Sequence, residues 1–169
     1  MEIKIFDWIV VLGILFSQAN QVHEQPGFDR AGYYQLLKKG TIGEIDKELS
    51  LLETLSLKEK QAYIATLIMK KAGMLKKPTD KIRLFKEGRA GLEKEISLDS
   101  SEAEYHFLRL IIQEHAPAVT KYRGQLQEDK EHIEKNYKTL LPAVQRAVMD
   151  YSKSSKVLHN LDLNTSEHG

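Results

Sequence analysis

The sequence predicts an all-α fold, with about seven helices in antiparallel hairpins that form a stack or a bundle. Three observations carry that reading. Strand signals are missing: there is no Asn-Gly or Asp-Gly hairpin turn and no sustained apolar/polar alternation among β-branched residues. Apolar residues recur instead at spacings of three and four, which puts them on one face of a helix. Thr41-Ile42-Gly43-Glu44, Ser56-Leu57-Lys58-Glu59 and Ser101-Glu102-Ala103-Glu104 each match the capping box, in which a hydroxyl and a carboxylate three residues on accept from each other's backbone N–H.

The first nineteen residues stand apart. They hold thirteen of the 70 apolar residues, and Trp8 to Phe16 runs without a charge. A membrane-spanning helix needs about 20 apolar residues, so this run has the length of a signal-peptide core. Ser17-Gln18-Ala19 supplies small residues at the positions a signal peptidase reads, which places cleavage after Ala19 and the mature chain in the periplasm or outside the cell. Glu2 and Asp7 offset Lys4, so an uncleaved anchor and a buried first helix stay open as alternatives. Residues 20–27, with Gln25-Pro26-Gly27, read as a linker, residues 28–158 as the helical domain and the polar residues 159–169 as a disordered tail.

Within the domain the first helix spans about 28–39 and ends at Gly40, a residue suited to a positive φ at a helix C-terminus. The second, about 42–55, repeats Ile45, Leu49, Leu52 and Leu55. The third, about 57–72, carries Leu57, Ile64, Leu67 and Ile68. Pro78 precedes the fourth, about 80–97, with Ile82, Phe85, Leu92 and Ile96 inward. The fifth, about 102–115, is apolar almost all round (Tyr105, Phe107, Leu108, Leu110, Ile111, Ile112) and belongs at the centre. The sixth, about 124–139, has only a thin stripe of Leu126, Ile133 and Tyr137 and reads as an exposed edge. Pro142 suits the first turn of a seventh that runs to about Leu158.

The segment Phe85 to Leu110 resembles the tetratricopeptide repeat. Gly91 to Ser100 looks like the end of its second helix and the following turn, and Ala103, His106 and Phe107 fall where the next first helix begins. Glu95, Ser100 and Arg109-Leu110 depart from the pattern, and one junction of the 34-residue period is legible. In layout the chain is also similar to small exported helical proteins of Gram-negative bacteria. These resemblances imply stacked hairpins with a groove for a protein or peptide, and no mechanism.

With no Cys, disulfides, cysteine nucleophiles and thiolate metal sites are excluded. No Gly-x-Ser-x-Gly, His-Glu-x-x-His or glycine-rich phosphate loop occurs, and nothing calls for a cofactor. Glu128-Asp129-Lys130-Glu131-His132 is the nearest approach to a metal cluster, but Lys130 and Lys135 read as a solvated face. An alternative reading makes the chain a metal- or substrate-handling helical enzyme using Glu104, Glu128 and His132. His115 is expected to lie at the core edge with its tip capping the fifth helix.

Charge is the stronger clue. The net charge is +1, yet Lys70 to Arg89 holds eight basic residues against Asp80 and Glu87, and Glu93 to Glu114 holds six acids against Lys94 and Arg109. Two readings follow: the runs attract one another across a hairpin, or the basic turn docks on an anionic surface. The second assigns partner binding to Lys76, Lys77, Lys81 and Arg83. The expectation is an exported, monomeric, non-catalytic module that binds a protein, a peptide or an anionic envelope component, without nucleic acid, cofactor or integral span after cleavage.

Overall fold

A computed structural model describes residues 28–159 and 161. These residues form seven α-helices and no strand: α1 (Arg30–Lys39), α2 (Ile42–Thr54), α3 (Lys60–Met74), α4 (Pro78–Leu98), α5 (Ala103–His115), α6 (Leu126–Asn136) and α7 (Pro142–Ser152). The expected signal peptide over 1–19, the linker over 20–27 and nearly all of the tail over 159–169 lie outside the described residues. None of the described helices is long and apolar enough to cross a membrane.

Of the three capping boxes only the first closes. Thr41 and Glu44 accept from each other's backbone N–H at the start of α2. Ser56 caps nothing, because Lys58 and Glu59 form a turn and α3 begins only at Lys60. Lys58 uses that turn to reach Asp99 at 2.9 Å and Glu102 at 3.1 Å, tying the α2–α3 loop to the α4–α5 turn. These contacts hold the Asp99 carboxyl down at about 2, through the Ser101 hydroxyl first and Lys58 second. Ser101 is thus already engaged by Asp99, the N-cap of α5 is Glu102, and Glu104 turns into the core.

Gly40 ends α1 at φ −68°, an ordinary extended value, so positive φ is not what it supplies. It supplies room: a Cβ there would lie 2.6 Å from the Leu36 carbonyl oxygen. Gly88 does the same between helices, since its Cβ would meet the Ala65 carbonyl oxygen at 2.5 Å and Met69 Cγ at 2.7 Å. α3 and α4 pack backbone to backbone at this point. The buried face of α4 is therefore centred on Gly88 and Leu92, roughly 100° around the helix from Ile82. Ile82, expected inward, is 57% exposed.

α5 is the central helix, packed on α3, α4 and α6, while α1 rests on α7 and α2. Leu67, Leu92 and Ile133 from these neighbours are fully buried, as are Phe107 and Leu108 of α5 itself. Ten consecutive or near-consecutive positions of α5 are buried, Glu104, His106 and Arg109 among them. α6 is the thin edge helix expected, burying only Ile133 and Asp129 along its length.

Pro142 occupies the first turn of α7, but the helix stops at Ser152 rather than near Leu158. Glu114 explains the stop. Its carboxylate accepts from the Tyr151 hydroxyl at 2.9 Å, the Ser155 hydroxyl at 2.7 Å and the Lys156 N–H. Ser155 Oγ in turn accepts from Leu158 N–H at 2.8 Å, and the side chain of Leu158 is fully buried.

Candidate functional site

The candidate partner-binding residues lie together at the end of the α3–α4 hairpin. Lys77 caps α4 and Lys76 precedes it, both exposed; Arg83 is exposed and 3.5 Å from Glu87; half-buried Lys81 donates to the Gly73 carbonyl at 3.5 Å. Elsewhere in the basic run, Lys71 pairs with Asp46 and Arg89 lies 4.6 Å over the Tyr122 ring. Lys70, Lys76, Lys77 and Lys86 have no carboxylate partner among the described residues. No ion pair joins the basic run to the acidic run among the described residues, because the acids find partners elsewhere: Glu93 at Arg109, Glu102 at Lys58, Glu114 at Tyr151 and Ser155. Met74 and Ile82 stand among these cations, 38% and 57% exposed.

Two buried polar clusters flank α5. In the first, Glu104 Oε1 accepts from the Tyr34 hydroxyl at 2.7 Å and the Tyr63 hydroxyl at 2.6 Å. Arg30 Nε donates to the Tyr63 oxygen at 3.0 Å and its Nη2 to Glu59 at 3.0 Å, with the guanidinium 5.6 Å over the Phe28 ring. Burial pushes the Glu104 carboxyl up to about 7, against the lowering effect of the Tyr63 and Tyr34 hydrogen bonds. The same burial raises both phenols well above their ordinary range.

In the second, Asp129 is fully buried and accepts from Arg109 Nη2 at 2.6 Å, Arg109 Nε at 2.9 Å and His106 Nδ1 at 2.8 Å. Arg109 Nη1 reaches Glu93 at 2.9 Å, and Glu93 accepts from the Tyr122 hydroxyl at 2.6 Å. Burial alone would lower the Arg109 guanidinium, but Asp129 and Glu93 raise it. His106 Nε2 faces the Ser100 carbonyl at 3.0 Å, so both of its ring nitrogens face acceptors. The His132 ring stacks on it at 3.9 Å. Burial lowers His132, opposed by its hydrogen bond to the Ser101 carbonyl.

The three residues of the alternative enzyme reading therefore have different surroundings. Glu104 sits in the tyrosine cluster, His132 beside His106, and Glu128 at the surface 3.8 Å from Arg109. Among the described residues no group of three or more His, Asp or Glu is placed to hold a metal ion. Asp129, read from the sequence as part of a solvated face, is instead the most enclosed carboxylate among the described residues, since Arg109 and His106 bring three N–H donors to it. His115 is exposed, and its Nδ1 donates to the Ile111 carbonyl in the last turn of α5 at 2.9 Å.

The sequence reading missed a cleft between α1, α5 and α7, of about 410 Å³. Leu37, Phe107, Ile111, Ile112, Ala143 and Ala147 give it apolar walls, and Lys38, Lys70 and Arg146 line it with charge. Only the dense apolar composition of the fifth helix hinted that one of its faces would meet a void rather than a neighbour. The chain matches no protein-family model, no curated protein sequence and no solved structure.

Proposed function

We propose that the protein is an exported, non-catalytic helical binding module that docks through the end of the α3–α4 hairpin onto an anionic envelope surface, with phospholipid head groups as the partner. The observation that carries this reading is the run of exposed cations at the α3–α4 turn and the start of α4, with two exposed apolar side chains in the same segment. Lys76, Lys77 and Lys86 have no carboxylate partner among the described residues, and Met74 and Ile82 project from the same end of the hairpin. An anionic head-group layer supplies the missing counter-charge, and the boundary beneath it accepts Met74 and Ile82. Export rests on the signal-like residues 1–19, and the stacked-hairpin likeness to tetratricopeptide repeats on the α4–α5 junction.

Each Lys near an anionic bilayer is worth about 1 kcal/mol, so K76A/K77A/K81A should weaken adsorption roughly 100-fold. Co-sedimentation with phosphatidylglycerol-containing and purely phosphatidylcholine vesicles tests it. Binding to the first, no binding to the second, and loss in the triple variant support the reading. Equal binding to both vesicle types, or no change in the triple variant, abandons it; capture by an acidic protein with no vesicle binding moves the surface to a protein partner.

A further inference from the structure

The cleft between α1, α5 and α7, to which α3 adds Lys70, is a second surface away from the end of the hairpin and independent of the reading above. Its polar groups are unequally committed. The Tyr34 hydroxyl donates inward to Glu104, and the Tyr151 hydroxyl donates to Glu114. Asp150, the one carboxylate lining the cleft, is paired with Lys153 at 2.7 Å and feels Lys38 as a weaker charge. His115 Nδ1 is held by the Ile111 carbonyl.

What is left over is of one sign. Lys38, Lys70 and Arg146 line the cleft and have no ion-pair partner among the described residues. The walls behind them present hydrocarbon, chiefly from Ile111, Ile112 and Ala147, with Leu37 and Ala143 beside them. A volume of about 410 Å³ falls in the range of small-molecule sites, ~300–1,000 Å³. An apolar interior under an uncompensated cationic rim is complementary to a ligand with an alkyl body and one anionic end.

We propose that this cleft binds a single-chain anionic amphiphile, its alkyl chain against Ile111, Ile112 and Ala147 and its carboxylate at Lys38 and Arg146. The alkyl chain displaces water from hydrocarbon walls, and the carboxylate stays at the rim where cations and solvent both reach it. A neutral ligand of the same length would leave the rim charges as they are.

Isothermal titration calorimetry with octanoate, decanoate and dodecanoate, each below its micellar concentration, and with decanol tests this on the whole chain. Affinity should rise about fourfold per added methylene, as expected for burial of hydrocarbon. Decanol should bind more weakly than decanoate. K38E/R146E, two exposed positions outside the core, should weaken decanoate roughly fivefold to twentyfold and leave decanol unchanged. A147F, which fills the wall, should weaken both ligands while circular dichroism shows intact helices. Failure of every chain length to bind, affinity independent of chain length, or equal binding of decanoate by wild type and K38E/R146E overturns the proposal.

Discussion

Glu104→Gln is a direct probe of the buried tyrosine–carboxyl cluster, because the structure dictates the sign of its pH dependence. The carboxyl lies at about 7 in the folded chain against an ordinary value of 4.5, raised by burial. Between those two values the unfolded chain has released its proton and the folded chain still holds it. Stability contributed by this group is present in full below about pH 4.5 and is lost as pH rises through about 7. The loss amounts to about 3 kcal/mol, a large part of the stability of a domain this size. Glutamine cannot ionise, and its amide oxygen can accept from the Tyr34 and Tyr63 hydroxyls as the carboxyl does. Urea unfolding followed by circular dichroism, at several values from about pH 5 to about pH 8, reads the difference between the two proteins. The Gln variant should gain on wild type by up to about 3 kcal/mol across that range, whatever its offset at low pH. A difference that stays constant from acid to alkaline pH refutes a raised, enclosed carboxyl. Tyr34→Phe sharpens the test: it removes a donor that favours the ionised form, so the midpoint of the wild-type loss should move to higher pH.

Two further substitutions bear on the packing around α5 and α4. Asp129→Ala leaves Arg109 and His106 enclosed without their shared carboxylate, and should cost about 3–5 kcal/mol in denaturant unfolding, whereas Glu128→Ala on the exposed side of the same helix should cost less than 1. Gly88→Val should cost more than about 2 kcal/mol by forcing α3 and α4 apart at Ala65 and Met69, while the same change at Gly73, where nothing stands within 4 Å, should be neutral or slightly stabilising because Val is the better helix former. Comparable thermal midpoints for the two glycine variants would show that the close approach is not tight.

The apolar spacing located all seven helices because every one of them buries a stripe against α5 or its neighbours, and that is a local property of the chain. Ends were harder. Ser56 and Ser101 have the right residue three positions on, but a capping box forms only if neither member is claimed from elsewhere, and Asp99 claims Ser101 while Tyr34 and Tyr63 claim Glu104. Ile82 was misplaced for a different reason. It continues the three-and-four spacing, yet Gly88 draws the contact line of α4 to another face, and a glycine carries no weight in an apolar pattern. The buried charges were illegible because Asp129 is flanked by charged residues in sequence and its partners lie on α5. The cationic turn was visible as composition; that its charges stay unpaired depends on where Glu93, Glu102 and Glu114 find their partners, which only the fold decides.

The placement of Asp129 has a consequence for the order in which the molecule is completed. A chain made from its N-terminus releases α1, α3 and α5 first, so Tyr34, Tyr63 and Glu104 can meet as soon as α5 emerges. Arg109 and His106 leave with the same helix, but their shared counter-charge arrives on α6. Until then Arg109 has Glu93 as its carboxylate partner, and the face of α5 that α6 will cover keeps three N–H donors that water must satisfy. The hydrogen bonds of the Glu104 cluster thus need nothing beyond α5, whereas those of Arg109 and His106 to Asp129 cannot form until synthesis has passed α6.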